Sequence, residues 1–473
     1  FQKMLHKRLH ERFTQEEVLR LHRNAADWFA GQGLIDEALH HALVAGDQDR
    51  VVSLMESQLC EALNRDDRPT LERWLSLLPP ELVERRPWLL MLKAWVFSLG
   101  WQLDAVGRVL RQAEALIREQ GELLGPEEQP ADVQALAAQI ATLRGQEAYM
   151  DNQPARALAL CQQSLALLPA SWKYARGGSV LYQAMSMQAL GQGDEAERWL
   201  LDQYTALEDR SNAYAIRILF GLAVIRYQMG CLELARQAAQ EMLHQATRSR
   251  LPVLQGWARY YLARVHYQWN DLDLAQHHFA EVSDQRYFVH AHAARNGMIG
   301  LTQVYAVTGE FAQAWKTWET LSQFDLDLTG HETEETRSLR ARLLLQQGDV
   351  AAACRWADAF NQPMPDRPLI WLQHPHITKA RILLARRLPA DLREALAIVD
   401  AYYALADRTH SVQSKINILL IRALALEAQG QAASAMAALQ EAVKLARPGG
   451  FVRAFVDSGP AMQSLLWQLA AQY

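Results

Sequence analysis

The stretch GCLELARQAAQEMLHQATRSRLPVLQGWARYYLARVHYQWNDLDLA, residues 230–275, holds one full period of this sequence. It opens on Gly230 with Ala235 five residues later, and it closes on Asn270 with Ala275 five residues later. The same pairing recurs at Asn152/Ala157, Gly191/Ala196, Gly309/Ala314, Gly348/Ala353, Ala390/Ala395 and Gly430/Ala435. From Asn152 onward successive turns are separated by a nearly constant step of about 40 residues, a length typical of helical-hairpin repeats. Gly33/Ala38 and Gly100/Ala105 fit the same spacing further upstream. A fixed period of this length marks a repeat architecture, in which each unit buries its apolar face only against its neighbours.

Each rung reads as a two-helix hairpin. Glycine or asparagine ends the first helix in a left-handed conformation that other residues resist. The alanine lets the second helix approach the first closely. Seven residues before the turn the first helix carries a small side chain: Ala184, Ala223, Ala263, Thr302, Ala341 and Ala423. Four residues after the alanine comes an apolar one, as at Leu200, Phe279, Trp318, Val399 and Leu439. These small-to-large contacts are those of a tetratricopeptide hairpin, with a period longer than the usual one of about 34 residues. The expected fold is therefore all-α, a tetratricopeptide-like α-solenoid with an N-terminal helical connector. Prolines at Leu168-Pro169, Gln362-Pro363, Pro365 and Leu388-Pro389 punctuate between helices. GELLGPEEQP, residues 121–130, reads as a surface loop, and Gly449-Gly450 as the end of the last repeat.

In such a superhelix the first helix of each repeat lines a concave groove. Relative to each turn, positions −13, −10, −6, −3 and −2 are the ones that face it. Before Gly230 these include Arg217, Phe220 and Tyr227; before Asn270 they are Trp257, Tyr260, Arg264, Tyr267 and Gln268. Asn296 and Gln303 precede Gly309, and Arg342 precedes Gly348. Rings beside fixed hydrogen-bonding groups suit a sugar or another flat, partly polar ligand, and equally an extended peptide.

The chain has 473 residues with 48 basic and 53 acidic side chains, a net charge of -5. That balance argues against a broad basic surface for nucleic acid. Cys60, Cys161, Cys231 and Cys354 form no CxxC pair and read as buried small residues in a reducing, cytoplasmic compartment. The most apolar stretch, Trp88 to Trp101, is interrupted by Lys93 and too short for a membrane span. The histidines at 40/41, 277/278, 290/292 and 374/376 are adjacent or two apart, so on helices each pair diverges and no metal site is expected. No Gly-Lys-Ser/Thr P-loop, GxSxG elbow, Cys/His nucleophile or Rossmann glycine pattern occurs, and the chain is not expected to be an enzyme.

Residues 20–47, RLHRNAADWFAGQGLIDEALHHALVAGD, resemble the helical region that follows the ATPase module in large ATP-binding LuxR-type transcriptional activators, the class of the maltose-regulon activator. Trp74-Leu75, Leu78-Pro79 and Pro87-Trp88 fit the same pattern. Residues 448–462, PGGFVRAFVDSGPAM, resemble the stretch these regulators place before their DNA-binding helix-turn-helix. The resemblance implies a fragment: a connector over residues 1–85, a sensor solenoid over 86–447 and a C-terminal lead over 448–473. It further implies a small-molecule inducer bound in the groove, ATP and magnesium held by a missing ATPase, and DNA reached only through a missing C-terminal domain. Self-association of the activated full-length protein also follows. The rival reading is an interaction solenoid that takes a regulatory protein or peptide.

Overall fold

The turn residues do adopt the backbone that ends a helix. In the computed structural model, which describes residues 12–124, 131–366 and 369–471, Gly33, Asn152, Gly191, Gly230, Asn270, Gly309, Gly348 and Gly430 have φ between 55° and 86°. The alanines five residues on, Ala38, Ala157, Ala196, Ala235, Ala275, Ala314, Ala353 and Ala435, are all fully buried. Two rungs are shifted. Upstream, the left-handed residue is Trp101 at φ 58° rather than Gly100. Near the other end it is Arg387 at φ 61° rather than Ala390, because Pro389 already opens the next helix with its fixed φ. With that correction the step from Gly348 to Arg387 matches its neighbours, and the step from Arg387 to Gly430 is slightly longer.

The chain's contacts form two units, Phe1–Ser98 with Gln102–Leu136, and Leu99–Trp101 with Ala137–Tyr473. The cut at residue 85 thus falls within the first unit, and the segment after 447 packs into the second. The first unit contains α1 (Gln15–Gly31), α2 (Ile35–Val44), α3 (Gln48–Asn64), α4 (Arg68–Ser76), α5 (Pro80–Val83), α6 (Pro87–Leu99) and α7 (Leu103–Leu124). Thr14 starts α1 through a capping box, its hydroxyl taking the Glu17 N–H while the Glu17 carboxylate takes the Thr14 N–H. Asp47 and Asp67 cap α3 and α4 in the same sense. Residues 121–124 are the last turn of α7 rather than a loop, and 125–130 lie outside the described residues.

The second unit is built of hairpins. Helix α8 (Ala131–Met150) enters it and pairs with α9 (Pro154–Leu167). Then follow α10 (Lys173–Ala189) with α11 (Gly193–Thr205), α12 (Ala213–Gln228) with α13 (Leu232–Arg248), and α14 (Pro252–Gln268) with α15 (Leu272–Asp284). Next come α16 (Ala291–Thr308) with α17 (Phe311–Thr329), α18 (Glu334–Gln346) with α19 (Val350–Ala359), α20 (Pro375–Arg386) with α21 (Pro389–Arg408), and α22 (Val412–Ala428) with α23 (Ala432–Ala446). Short α24 (Arg453–Val456) and α25 (Gly459–Ala470) end the chain. Among the described residues there is no strand, and no helix is long and apolar enough to cross a membrane. The architecture is a tetratricopeptide-like α-solenoid.

This unit closes on itself. The carboxamide of Gln188, at the end of α10, donates to the carbonyls of Thr409 and His410. The Ser411 hydroxyl donates to the Gln228 carboxamide at the end of α12. At the end of α14 the Val452 N–H donates to the Gln268 carbonyl at 2.8 Å and the Trp269 indole to the Gly449 carbonyl at 3.0 Å. A Cβ on Gly449 would sit 2.2 Å from the Gly230 carbonyl oxygen, so only glycine admits this approach. Early turns therefore dock on late repeats.

Candidate functional site

Six residues before each corrected turn, successive first helices present Val224, Arg264, Gln303, Arg342 and Arg381. These share one register, yet their surroundings differ because a non-helical strap enters the interior between α19 and α20. Pro363 and Pro365 keep that segment out of helix. Its described inner part, 369–374, is held by polar contacts from five first helices. Arg264 Nη1 donates to the Ile370 carbonyl at 2.9 Å, and Ser414 Oγ to the Leu369 carbonyl at 3.1 Å. Gln303 Nε2 donates to Gln373 Oε1, whose own Nε2 donates to Ser338 Oγ at 3.0 Å and Thr378 Oγ1 at 2.8 Å.

On the α12–α14 side the strap completes a dry, ring-lined core. Trp371 stacks toward Trp257, which stacks on Phe220 with ring centroids 5.2 Å apart. Arg264 is 1% exposed, its guanidinium carbon 4.0 Å from the Tyr227 ring centroid and within 5.5 Å of those of Tyr260 and Tyr261. Aromatic faces and one carbonyl thus replace water around a buried cation. Arg217 lies over the Tyr174 ring at 3.8 Å. Accordingly Arg217, Phe220, Tyr227, Trp257, Tyr260 and Arg264, expected on a ligand-facing wall, pack between repeats or beneath the strap, and none borders the cavity described next. Asn296, whose Oδ1 faces the Leu372 N–H at 3.5 Å, is likewise a strap contact.

Beyond the strap, on the α18–α20–α22 side, a cavity remains open. It offers about 100 Å³ to water centres, where on the order of 10–15 Å³ admits one water. Of the expected positions Tyr267, Gln268, Gln303 and Arg342 line it. Sequence reasoning missed Arg381, His374 and Asn417, which also line it. The first two stand at positions −6 and −13 relative to Arg387, and the third at −13 relative to Gly430. The misplaced turn at Ala390 hid Arg381 and His374. Asp457 and Ala454 were invisible in principle, since the C-terminal segment lies outside the repeat.

The charges are unevenly matched. Asp457 accepts from Arg453 Nε at 2.6 Å and from the Tyr267 hydroxyl at 2.7 Å. Arg342 and Arg381 make no ion pair with any described residue. Burial and the neighbouring Arg342 push the Arg381 guanidinium down to about 10, which leaves it charged at neutral pH. Burial, and then Arg264, push His374 down to about 4, so that ring is neutral.

The backbone carrying Arg342 is fixed from behind. Asp325, fully buried at the end of α17, accepts from Arg295 Nε at 2.8 Å, Thr333 N at 2.9 Å, Thr333 Oγ1 at 2.8 Å and Thr336 Oγ1 at 2.7 Å. These bonds tie α16, α17 and the start of α18 together.

The histidine pairs behave less uniformly than helical geometry suggested. His290 is the N-cap of α16, so it and His292 do not diverge: both rings touch Trp101, at 5.3 and 5.0 Å. His41 instead meets His22, Nδ1 to Nδ1 at 2.7 Å. Among the described residues no group of three or more His, Cys, Asp or Glu is placed to hold a metal.

Among solved structures the chain is similar to a Rap protein complexed with Competence and Sporulation Factor, at 12% identity and a TM-score of 0.48, over 84% of this chain and 98% of that one. It is similar to the apo form of RapI at 12% and 0.45, over 76% and 96%. Against yeast Tom70 the values are 12% and 0.39, over 96% and 97%. The family model described as the MalT-like TPR region matches residues 138–472. That match spans more than half of the sequence and nearly all of the second unit, and the chain therefore belongs to the MalT-like TPR region family.

Proposed function

We propose that this chain is the inducer-sensing region of a LuxR-type transcriptional activator, and that the cavity of the second unit holds a small effector. One observation carries the reading: successive repeats place Gln303, Arg342 and Arg381 in one register around a polar cavity that Ala454 and Asp457 of the C-terminal segment help to wall. A ligand there touches both the repeats and a segment outside them. Its differential affinity for two dockings of that segment is the free energy available for switching. In a longer protein carrying an ATP- and magnesium-binding module and a DNA-binding domain, that switch would set oligomerisation and promoter binding. The filled lumen beneath the strap favours a compact ligand over an extended peptide.

The test is thermal unfolding of the protein against a broad panel of small metabolites. A ligand at 100 times its dissociation constant adds about 2.7 kcal/mol, an easily visible shift. At least one compound is expected to stabilise wild type and to lose affinity in Gln303→Ala. A panel without any stabiliser overturns the small-effector reading and leaves a regulatory protein partner as the alternative.

A further inference from the structure

The chemical class of the cavity's ligand can be taken one step further, on the reading that the cavity is an effector site. We infer that it takes a small anion on a hydroxylated skeleton, a carboxylate or phosphate gripped between Arg342 and Arg381.

Three observations converge on this. First, two guanidinium groups border one small cavity, and neither is paired with a carboxylate of the described chain. Buried cations in a protein are ordinarily paired or hydrogen-bonded. Arg264, at the equivalent position two repeats earlier than Arg342, has its carbonyl and its aromatic faces; Arg342 and Arg381 have neither. Second, the one acid bordering the cavity is already engaged. Asp457 accepts from Arg453 and from Tyr267; its charge also acts on Arg381, against the larger push from burial and Arg342, but is shared with a third arginine. Third, the rest of the wall supplies neutral hydrogen-bonding groups, among them Gln268, Gln303, Gln413, Ser414 and Asn417. Gln268 is 6% exposed and its Oε1 has no hydrogen-bond partner.

The arrangement has a physical logic. The two arginines repel each other, and Arg342 contributes to holding the Arg381 guanidinium below its ordinary range. An anion between them converts that repulsion into two charge-assisted contacts, for which the planar guanidinium fork is well shaped. Carboxamides and hydroxyls then select for hydroxyl groups on the remainder of the ligand, whose loss would leave buried polar groups unpaired. A neutral sugar would satisfy the carboxamides and leave the arginines as they are.

The experiment uses the full chain at constant ionic strength, comparing inorganic phosphate, gluconate, glucose 6-phosphate and glucose by thermal unfolding and calorimetric titration. The expected result is saturable stabilisation by at least one anionic probe, with glucose at least tenfold weaker. Affinity should fall at least tenfold in Arg342→Gln and in Arg381→Gln separately, and stay unchanged in Arg236→Gln, an arginine of the outer helix α13. Arg381→Gln should also unfold no earlier than wild type without ligand, since it removes a like-charge contact. That result shows the variant is folded and would not hold for a structural arginine. Equal or stronger stabilisation by glucose overturns the anion assignment while leaving the effector reading standing. Anion stabilisation that persists in both variants, or no shift with any probe, overturns the assignment as well. The effector reading itself falls only with the broad panel.

Discussion

Arg264 and Arg342 occupy the same position in their repeats, six residues before the turn, and do opposite things. Arg264 is sealed among Tyr227, Tyr260 and Tyr261, with its one polar bond going to the strap at Ile370. Arg342 is half-buried and borders an open cavity. The helices that carry them differ in the same direction: α14 is buried along most of its length, whereas α18 buries only Thr336, Ser338, Leu339, Ala341 and Leu343. The repeat determines which side chains point inward. What they meet there is set by the strap and the C-terminal segment, which follow no repeat.

The sharpest break would come from Asp325→Ala. It leaves the buried Arg295 without its carboxylate and unties the start of α18, so a loss of about 3–5 kcal/mol is expected in urea unfolding. A loss below about 1 kcal/mol would mean that the cavity wall is not fixed from behind. Arg264→Ala should follow at about 2–4 kcal/mol, because it removes a desolvated stack and orphans the Ile370 carbonyl. A near-neutral Arg264→Ala would place this arginine with the ligand-facing set after all.

Acidification probes the same contrast through His374, which ends the strap. Its folded value of about 4 lies below the unfolded value of 6.5, so the unfolded chain binds the proton more readily between them. The stability it contributes is complete above about pH 6.5 and is lost as the pH falls toward 4. His278, also pushed to about 4 by burial and then by His277, adds to that slope. Urea midpoints at pH 7.5 and 5.0 should therefore differ, and His374→Gln should narrow the difference; an unchanged gap would remove His374 from the account. The smallest effect on stability is expected for Arg342→Ala, within about 0.5 kcal/mol, since this side chain makes no ion pair to lose.

Much of this was readable beforehand, and the reasons are local. A left-handed turn needs glycine or asparagine, and close helix packing needs alanine, so Gly230, Ala235, Asn270 and Ala275 announce themselves without reference to the rest of the chain. Where the chain uses Trp101 and Arg387 in that backbone instead, the signal is absent and the register slips. The slip at Arg387 was enough to hide Arg381 and His374. The ring cluster around Trp257 was visible as a cluster, but whether rings face ligand or one another depends on what covers them.

The sequence by itself determined the hairpin, its period and the inward-facing register, because backbone conformation and side-chain size act over a few residues. Only the tertiary structure decided that Trp371 and Ile370 would fill one side of the interior, and that Gly449, Val452 and Asp457 would close the other. Those contacts join positions far apart in the chain, such as Gln303 with Gln373 and Gln188 with Thr409. Their pairing depends on how the small twists of successive hairpins add up, a quantity that no short stretch of sequence carries.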